Sequence, residues 1–326
     1  MNQQTKHKTS IGGQALIEGI MMRGPKGAAV AVRLPNGEID LAPQEEKRFG
    51  DRHKWARLPI IRGVVAFIES LVFGYKYLMY SADKSMTPEE MEASESKLDK
   101  WLEEHMSDKV MPIIGVVSTV LGVAIALLLF LYLPIWIVDL FDGHLTNNVL
   151  EAHNLHPLFE GILKIIILVI YMWAVSKTPD IHRVFQYHGA EHKTIFCYEN
   201  GLELTVENVR KQIRFHPRCG TSFMIVMLLL GILLGTILVL IFPGIGKIRW
   251  LYSLIKLLMI PLIMGLGYEF IKYAGKHDNV VTKVLSAPGL WMQRITTQEP
   301  EDDMIEVGIA AFNAVRTDNP EDDAIK

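Results

Sequence analysis

Residues 112–138 read PIIGVVSTVLGVAIALLLFLYLPIWIV, an apolar run without one charged side chain. A bilayer core about 30 Å thick is crossed by roughly 20 helical residues, so Pro112 to Val138 is long enough to span it. Three further runs follow. Leu158 to Val175 carries Lys164 where it can snorkel to an interface, and ends in Tyr171 and Trp173, which suit the headgroup belt. Phe223 to Phe242 holds Gly231 and Gly235 at a spacing that lets another helix approach closely. Trp250 to Tyr273 contains Lys256, Pro261 and Glu269, and is expected to be kinked and packed against protein on at least one side. The expected fold is therefore an α-helical polytopic membrane protein of about four transmembrane helices, with a small α+β cytoplasmic domain.

Lys and Arg collect on the cytoplasmic side of such proteins. The link from Asp139 to Pro157 has neither, whereas Ser176 to Ser222 carries Lys177, Arg183, Lys193, Arg210, Lys211, Arg214 and Arg218. The N-terminal region is basic too, and Lys272, Lys276, Lys283 and Arg294 follow the last span. Both termini and the central loop are thus expected inside. Lys247 and Arg249, on the short outer turn, run against that pattern. The opening Met1 to Ser10 is polar, without the apolar core of a secretory signal. A net charge of -3 gives no steering toward nucleic acid, and the expected partners are the lipid bilayer and other membrane proteins.

Outside the spans the chain divides into a cytoplasmic region 1–110, a membrane region 111–275 that includes the motif loop 176–222, and a tail 276–326. In the first, Ile11 to Pro25 is an apolar stretch punctuated by glycine, and Asn36-Gly37 between alternating runs signals a hairpin in a small antiparallel sheet. Leu58 to Tyr80 has helical periodicity but holds Arg62, Glu69 and Lys76, which predicts a helix on the membrane surface or packed in the cytoplasmic domain. Thr87-Pro88-Glu89-Glu90 opens an acidic helix through Trp101, and Met304 to Val315 reads as a short amphipathic helix.

Chemistry concentrates in Tyr187 to Glu199. On a helix, His188, Glu191 and His192 stand at i, i+3 and i+4 and share a face. This is the H-x-x-E-H order of inverted zincins, in which the histidines hold a divalent metal, here expected to be zinc, and the glutamate is the base toward water. With only two cysteines in the chain, Cys197 and Cys219, a reducing compartment leaves both free. Cys219, His216 and the downstream Glu269 are candidates for a third ligand, and Glu199 offers another carboxylate. Arg23, Arg62 and Arg218 sit beside glycine or proline and are candidates for holding a substrate anion. The plainer readings are solvated histidines, a helix weakened by Gly189, a cysteine acting as a small hydrophobe and arginines anchoring loops.

With Gly12-Gly13-Gln14, Glu18-Gly19-Ile20-Met21-Met22-Arg23-Gly24-Pro25, His188-Gly189-Ala190-Glu191-His192-Lys193, His216-Pro217-Arg218-Cys219-Gly220-Thr221-Ser222 and Gln293-Arg294-Ile295-Thr296-Thr297-Gln298-Glu299-Pro300, the sequence resembles the bacterial YqhQ family over nearly its whole length. The resemblance implies location in a bacterial cytoplasmic membrane and weight on these motifs, and supplies no substrate. Two readings follow: a membrane-embedded metal-dependent hydrolase of a membrane-associated peptide or lipid-linked molecule, with Glu191 as base, or a noncatalytic factor for membrane-protein assembly that uses the same residues as a structural site.

Overall fold

The structure, a computed structural model, describes residues 7–44, 49–87, 110–145, 155–277 and 279–325. The acidic helix expected from Thr87 to Trp101 falls almost entirely outside them. The chain forms two compact units. One comprises Met1–Met86, Tyr171–Met227 and Pro261–Lys326, and the other Thr87–Ile170 and Leu228–Ile260.

In the first unit, β1 (Gly12–Leu16), β2 (Gly19–Gly24), β3 (Gly27–Arg33) and β4 (Ile39–Gln44) form an antiparallel meander in sequence order. The Asn36-Gly37 signal falls in the β3–β4 turn, where Gly37 takes φ +86 and its N–H donates to the Leu34 carbonyl. Alternation along the strands sends Leu16, Met21, Val30 and Val32 to one face and Ile20, Met22, Ala29 and Ala31 to the other. Both faces of β2 and β3 are covered, which is why these two strands read as apolar runs, while β4 stays partly exposed. Tyr77 of α1 (Ile61–Ser85) packs on the first face. The second face meets α5 (Pro179–Glu199) and α10 (Asp302–Val315), whose Met304, Ile305, Val307, Ala311 and Phe312 recur at helical spacing and are buried.

Four helices are long and apolar enough to cross a membrane: Val120–His144, His156–Val175, Gly220–Ile241 and Trp250–Ala274. The first joins α2 (Val110–Leu127) to α3 (Leu133–Leu145) through a π turn at Leu128–Tyr132. The others belong to α4 (His156–Val175), α7 (Gly220–Ile241) and α8 (Arg249–Lys276), and α8 continues through Pro261. In the second unit Lys164 does not snorkel. Its Nζ lies 2.6 Å from Glu160 Oε1, and Lys256 pairs with the same oxygen. Glu160, which the charge reading of this span passed over, is wholly buried, so the lysines turn inward to a charge that has no water to solvate it.

Two further elements complete the frame of the site. α6 (Val206–Arg210) is capped by Thr205, whose side chain accepts from the Asn208 N–H. α9 (Val280–Thr296) opens with a reciprocal box between Asn279 and Thr282.

Candidate metal centre

The motif segment 176–222 is chiefly helical. Thr178 precedes Pro179 at the first helical position, Asp180 favours the positive end of the helix dipole, and α5 then runs unbroken to Glu199. Gly189 does not weaken this helix. A Cβ there would lie 2.0 Å from the Gln298 carbonyl oxygen, so glycine is what lets residues 296–298 cross against α5. The Gln298 N–H donates to the Phe185 carbonyl, 2.8 Å, and fixes that crossing.

His188, Glu191 and His192 share the inner face, with ring centroids of the histidines 4.4 Å apart. His188 Nδ1 lies 2.8 Å from the Thr296 carbonyl oxygen and His192 Nδ1 lies 2.5 Å from that of Arg214. A carbonyl only accepts, so both Nδ1 atoms carry hydrogen and both Nε2 atoms are left for another partner. That partner is Cys219, immediately before α7. Its Sγ is 3.1 Å from His188 Nε2 and accepts from Thr221 Oγ1 at 3.3 Å. Donor atoms of His188, His192 and Cys219 all lie within 4.8 Å of one another. Tetrahedral zinc holds nitrogen and sulfur ligands about 3.5 Å apart, so the set is of the right size and chemical softness for such an ion. The backbone carbonyls on the far ring nitrogens are the usual orienting partners of metal-binding histidines.

Glu191 completes the cluster. Its Oε1 accepts from the Gly13 N–H of β1 at 2.9 Å, and its Oε2 stands 3.9 Å from His188 Nε2. Burial pushes this carboxyl up, more than the two histidines bring it down. Burial also disfavours the Cys219 thiolate, yet His188 and His192 together hold the thiol well below its ordinary range. His188 is pressed down by burial and lifted by Cys219 and Glu191, to about 9. The two histidines thus favour the thiolate of Cys219, the form in which a cysteine binds metal. At Cys197 burial alone raises the thiol to about 11.

The other candidates go elsewhere. His216 is behind the triad, its ring 5.5 Å from that of His192, and lies outside the donor cluster. Burial and Arg218 keep it neutral, at about 4, against the pull of Glu199. Glu269 does not reach the triad. It accepts from Arg62 Nε at 2.6 Å and from Arg62 Nη2, so one of the candidate third ligands and one candidate substrate arginine answer each other. Arg218 binds the Thr9 carbonyl, 2.6 Å, and Glu199, which clasps the N-terminal segment to the end of α5. Arg23 stacks its guanidinium 5.4 Å from the Phe73 ring.

Several contributors were not identifiable from residue type. Gly13, Arg214 and Thr296 act through backbone atoms. Gln293 accepts from the His216 N–H and donates to the His216 carbonyl and to Ser222 Oγ, locking 216–222 against α9. The only signal for them is that Gly13 and residues 293–298 fall in the motifs quoted above.

The family described as protein of unknown function (DUF1385) matches residues 58–318. The uncharacterized protein YqhQ of Bacillus subtilis (strain 168) is 36% identical over 315 residues, covering 95% of this chain and 93% of that protein. No solved structure matches the chain. A match over most of the length, which includes every residue of the His188–His192–Cys219 cluster, means that the chain belongs to the DUF1385 family, with YqhQ as a relative.

Proposed function

We propose that the chain is a multi-pass protein of the bacterial cytoplasmic membrane, with both termini inside, and that it carries a zinc-class site serving a hydrolase at the cytoplasmic face. The membrane half rests on four apolar helices with little of their surface buried, which would otherwise present large apolar faces to water. The metal half rests on one observation above all: His188 and His192 each commit Nδ1 to a backbone carbonyl, so that both Nε2 atoms and the Cys219 thiolate converge. Three protein donors leave one coordination position open, as catalytic sites do. A bound ion of this class supplies Lewis acidity and lowers the pKa of water. Glu191, raised by burial, is the carboxyl placed to accept a proton at that position and return it to a leaving group. A membrane-associated peptide or a lipid-linked molecule is the substrate class that such a location would serve.

A noncatalytic, structural use of the same residues has its own support. His192 and Cys219 are buried and His188 is largely so, and Glu191 ties β1 to α5 through the Gly13 N–H, as a clasp would. Glu191→Gln separates the two. Metal content, membrane abundance and complementation of a deletion strain should be measured for Glu191→Gln beside His188→Ala, His192→Ala and Cys219→Ala. The hydrolase predicts that the three ligand variants lose metal. Glu191→Gln keeps metal and fold, and its activity falls on the order of 100-fold. Full complementation by Glu191→Gln at normal abundance would remove the hydrolase, and stoichiometric metal in all three ligand variants would remove the site.

A further inference from the structure

Beside the triad, with His216 in its wall, the first unit holds an open cavity of about 370 Å³. Its described lining is rich in cations. Among the described residues Lys8, Arg218 and Lys283 line it with one carboxylate, Glu199, which accepts from Arg218 and from the Thr9 N–H. Thr282 and Ser286 add hydroxyls along the buried face of α9, while Phe196, Ile213 and Leu290 make an apolar wall. Such a lining, cationic with hydroxyls at one part and apolar at another, fits an amphiphile whose head is an anion.

Position narrows the class. Ala274, the last residue of the fourth membrane-length helix, is itself part of the wall, so the cavity opens at the level where a bilayer places its headgroups. The first two turns of α9 follow directly. Their buried face lines the cavity, while Val280, Val281, Val284 and Leu285 on the other face are 40–76% exposed. A row of exposed aliphatic side chains next to a cationic hollow at a span end is a place for acyl chains next to a place for a phosphate. We propose that the cavity binds the headgroup of an anionic phospholipid, with its phosphate among Lys8, Arg218 and Lys283 and its chains along the Val280–Leu285 face. The proposal rests on the membrane half of the reading above and is independent of the metal.

The test uses the full chain in uncharged detergent and two short-chain probes, dihexanoyl phosphatidylglycerol and dihexanoyl phosphatidylcholine, with binding followed by thermal shift. Phosphatidylglycerol should bind about 10-fold more tightly, the scale set by one or two lysines near an anionic head. Lys8→Gln/Lys283→Gln should abolish that preference, and Lys54→Gln/Lys76→Gln, an equal charge loss on exposed sites elsewhere, should retain it. Val280→Gln/Val284→Gln should weaken the lipid and leave glycerol phosphate unaffected. Equal affinity for the two lipids overturns the proposal, and that arm needs no variant to fold. So does a preference that survives Lys8→Gln/Lys283→Gln, or one that Lys54→Gln/Lys76→Gln also removes, which marks a diffuse field. Glycerol phosphate binding as tightly as the lipid would assign the cavity to a soluble phosphate compound. Loss of metal with lipid preference intact would fault the metal half alone.

Discussion

Glu199 shows how one side chain carries both the shape and the electrostatics of the region beside the triad. It accepts from the Thr9 N–H and from Arg218, with side-chain exposures of only 10% for the glutamate and 16% for the arginine. Burial disfavours its charge, but His216, Arg218 and the Thr9 N–H together hold the carboxyl below its ordinary value. The folded value therefore lies under the unfolded one. Stabilisation is fully present above the unfolded carboxylate range near ~4.3 and is lost as pH falls through the lowered folded value. Glu199→Gln would leave Arg218 without its anion, at a cost of about 3 kcal/mol near neutral pH. Melting curves in detergent should show the deficit at about pH 7.5, and the gap from wild type should close on acidification. A gap independent of pH would mean that packing, not charge, is what the glutamate supplies. At this scale the sequence is informative about residue types and silent about partners. The pattern at 188, 191 and 192 announces a helix face, yet nothing local tells that Cys219 meets it while Glu269 is taken by Arg62. Two buried cysteines of one chain differ widely in acidity, because only one has imidazoles beside it.

Helix α5 is the element on which the centre is built, and its two sides depend on closeness. Gly189 admits the backbone at Gln298, and Gly308 of α10 admits α5 itself, since a Cβ there would lie 2.8 Å from Thr194 Oγ1. The carbonyl of Thr296, two residues before that crossing, orients His188. Gly189→Ala should therefore do two things at once. It should cost about 2 kcal/mol or more, because a backbone carbonyl cannot swing aside as a flexible side chain can, and it should weaken metal binding by moving the Thr296 carbonyl. Gly122→Ala is the control, since among the described residues nothing lies within 4 Å of its added methyl, and its stability should be near wild type. Paired measurement of melting temperature and bound metal decides it. A Gly189→Ala protein with normal metal affinity would deny any link between crossing and site. In sequence Gly189 looks like a weak point of the helix, because the reason for it sits more than a hundred residues away. The long apolar helices and α10 were legible for the opposite reason: each states its length or its period within its own residues, whereas 176–222 read as a loop and α5 only as the helix that the His188–His192 spacing would need. The β1–β2 pair was only half legible. Its buried faces, with Ile20 and Met22 on one side and Met21 on the other, leave no polar alternation to mark it.

On the scale of the whole molecule, the first unit gathers three segments that the apolar helices separate in sequence, and all the motif residues lie in it. Composition told that the chain is rich in apolar helices, but not that its N-terminal sheet, its central helix and its tail would share one core, since that depends on pairings such as Arg33 with Glu306 and Tyr198 with Asp323. The proposed topology follows from charge instead. Cytoplasmic links hold Lys and Arg because positive residues are disfavoured on the translocated side. Residues 139–157 have none and 176–222 have many, so the first should face out and the second in. Leu155→Cys and Glu203→Cys put a thiol on an exposed position of each, and the native Cys197 and Cys219 are buried. A membrane-impermeant maleimide applied to intact cells should modify Leu155→Cys and leave Glu203→Cys unmodified. After the membrane is permeabilised both should react, while the unsubstituted protein stays unlabelled in both conditions. Labelling of Glu203→Cys alone in intact cells would invert the orientation and move the triad, the cavity and both termini outside, where an oxidising compartment would threaten the Cys219 thiolate. Equal labelling of both positions in intact cells would deny that a membrane separates them, and with it the spans themselves.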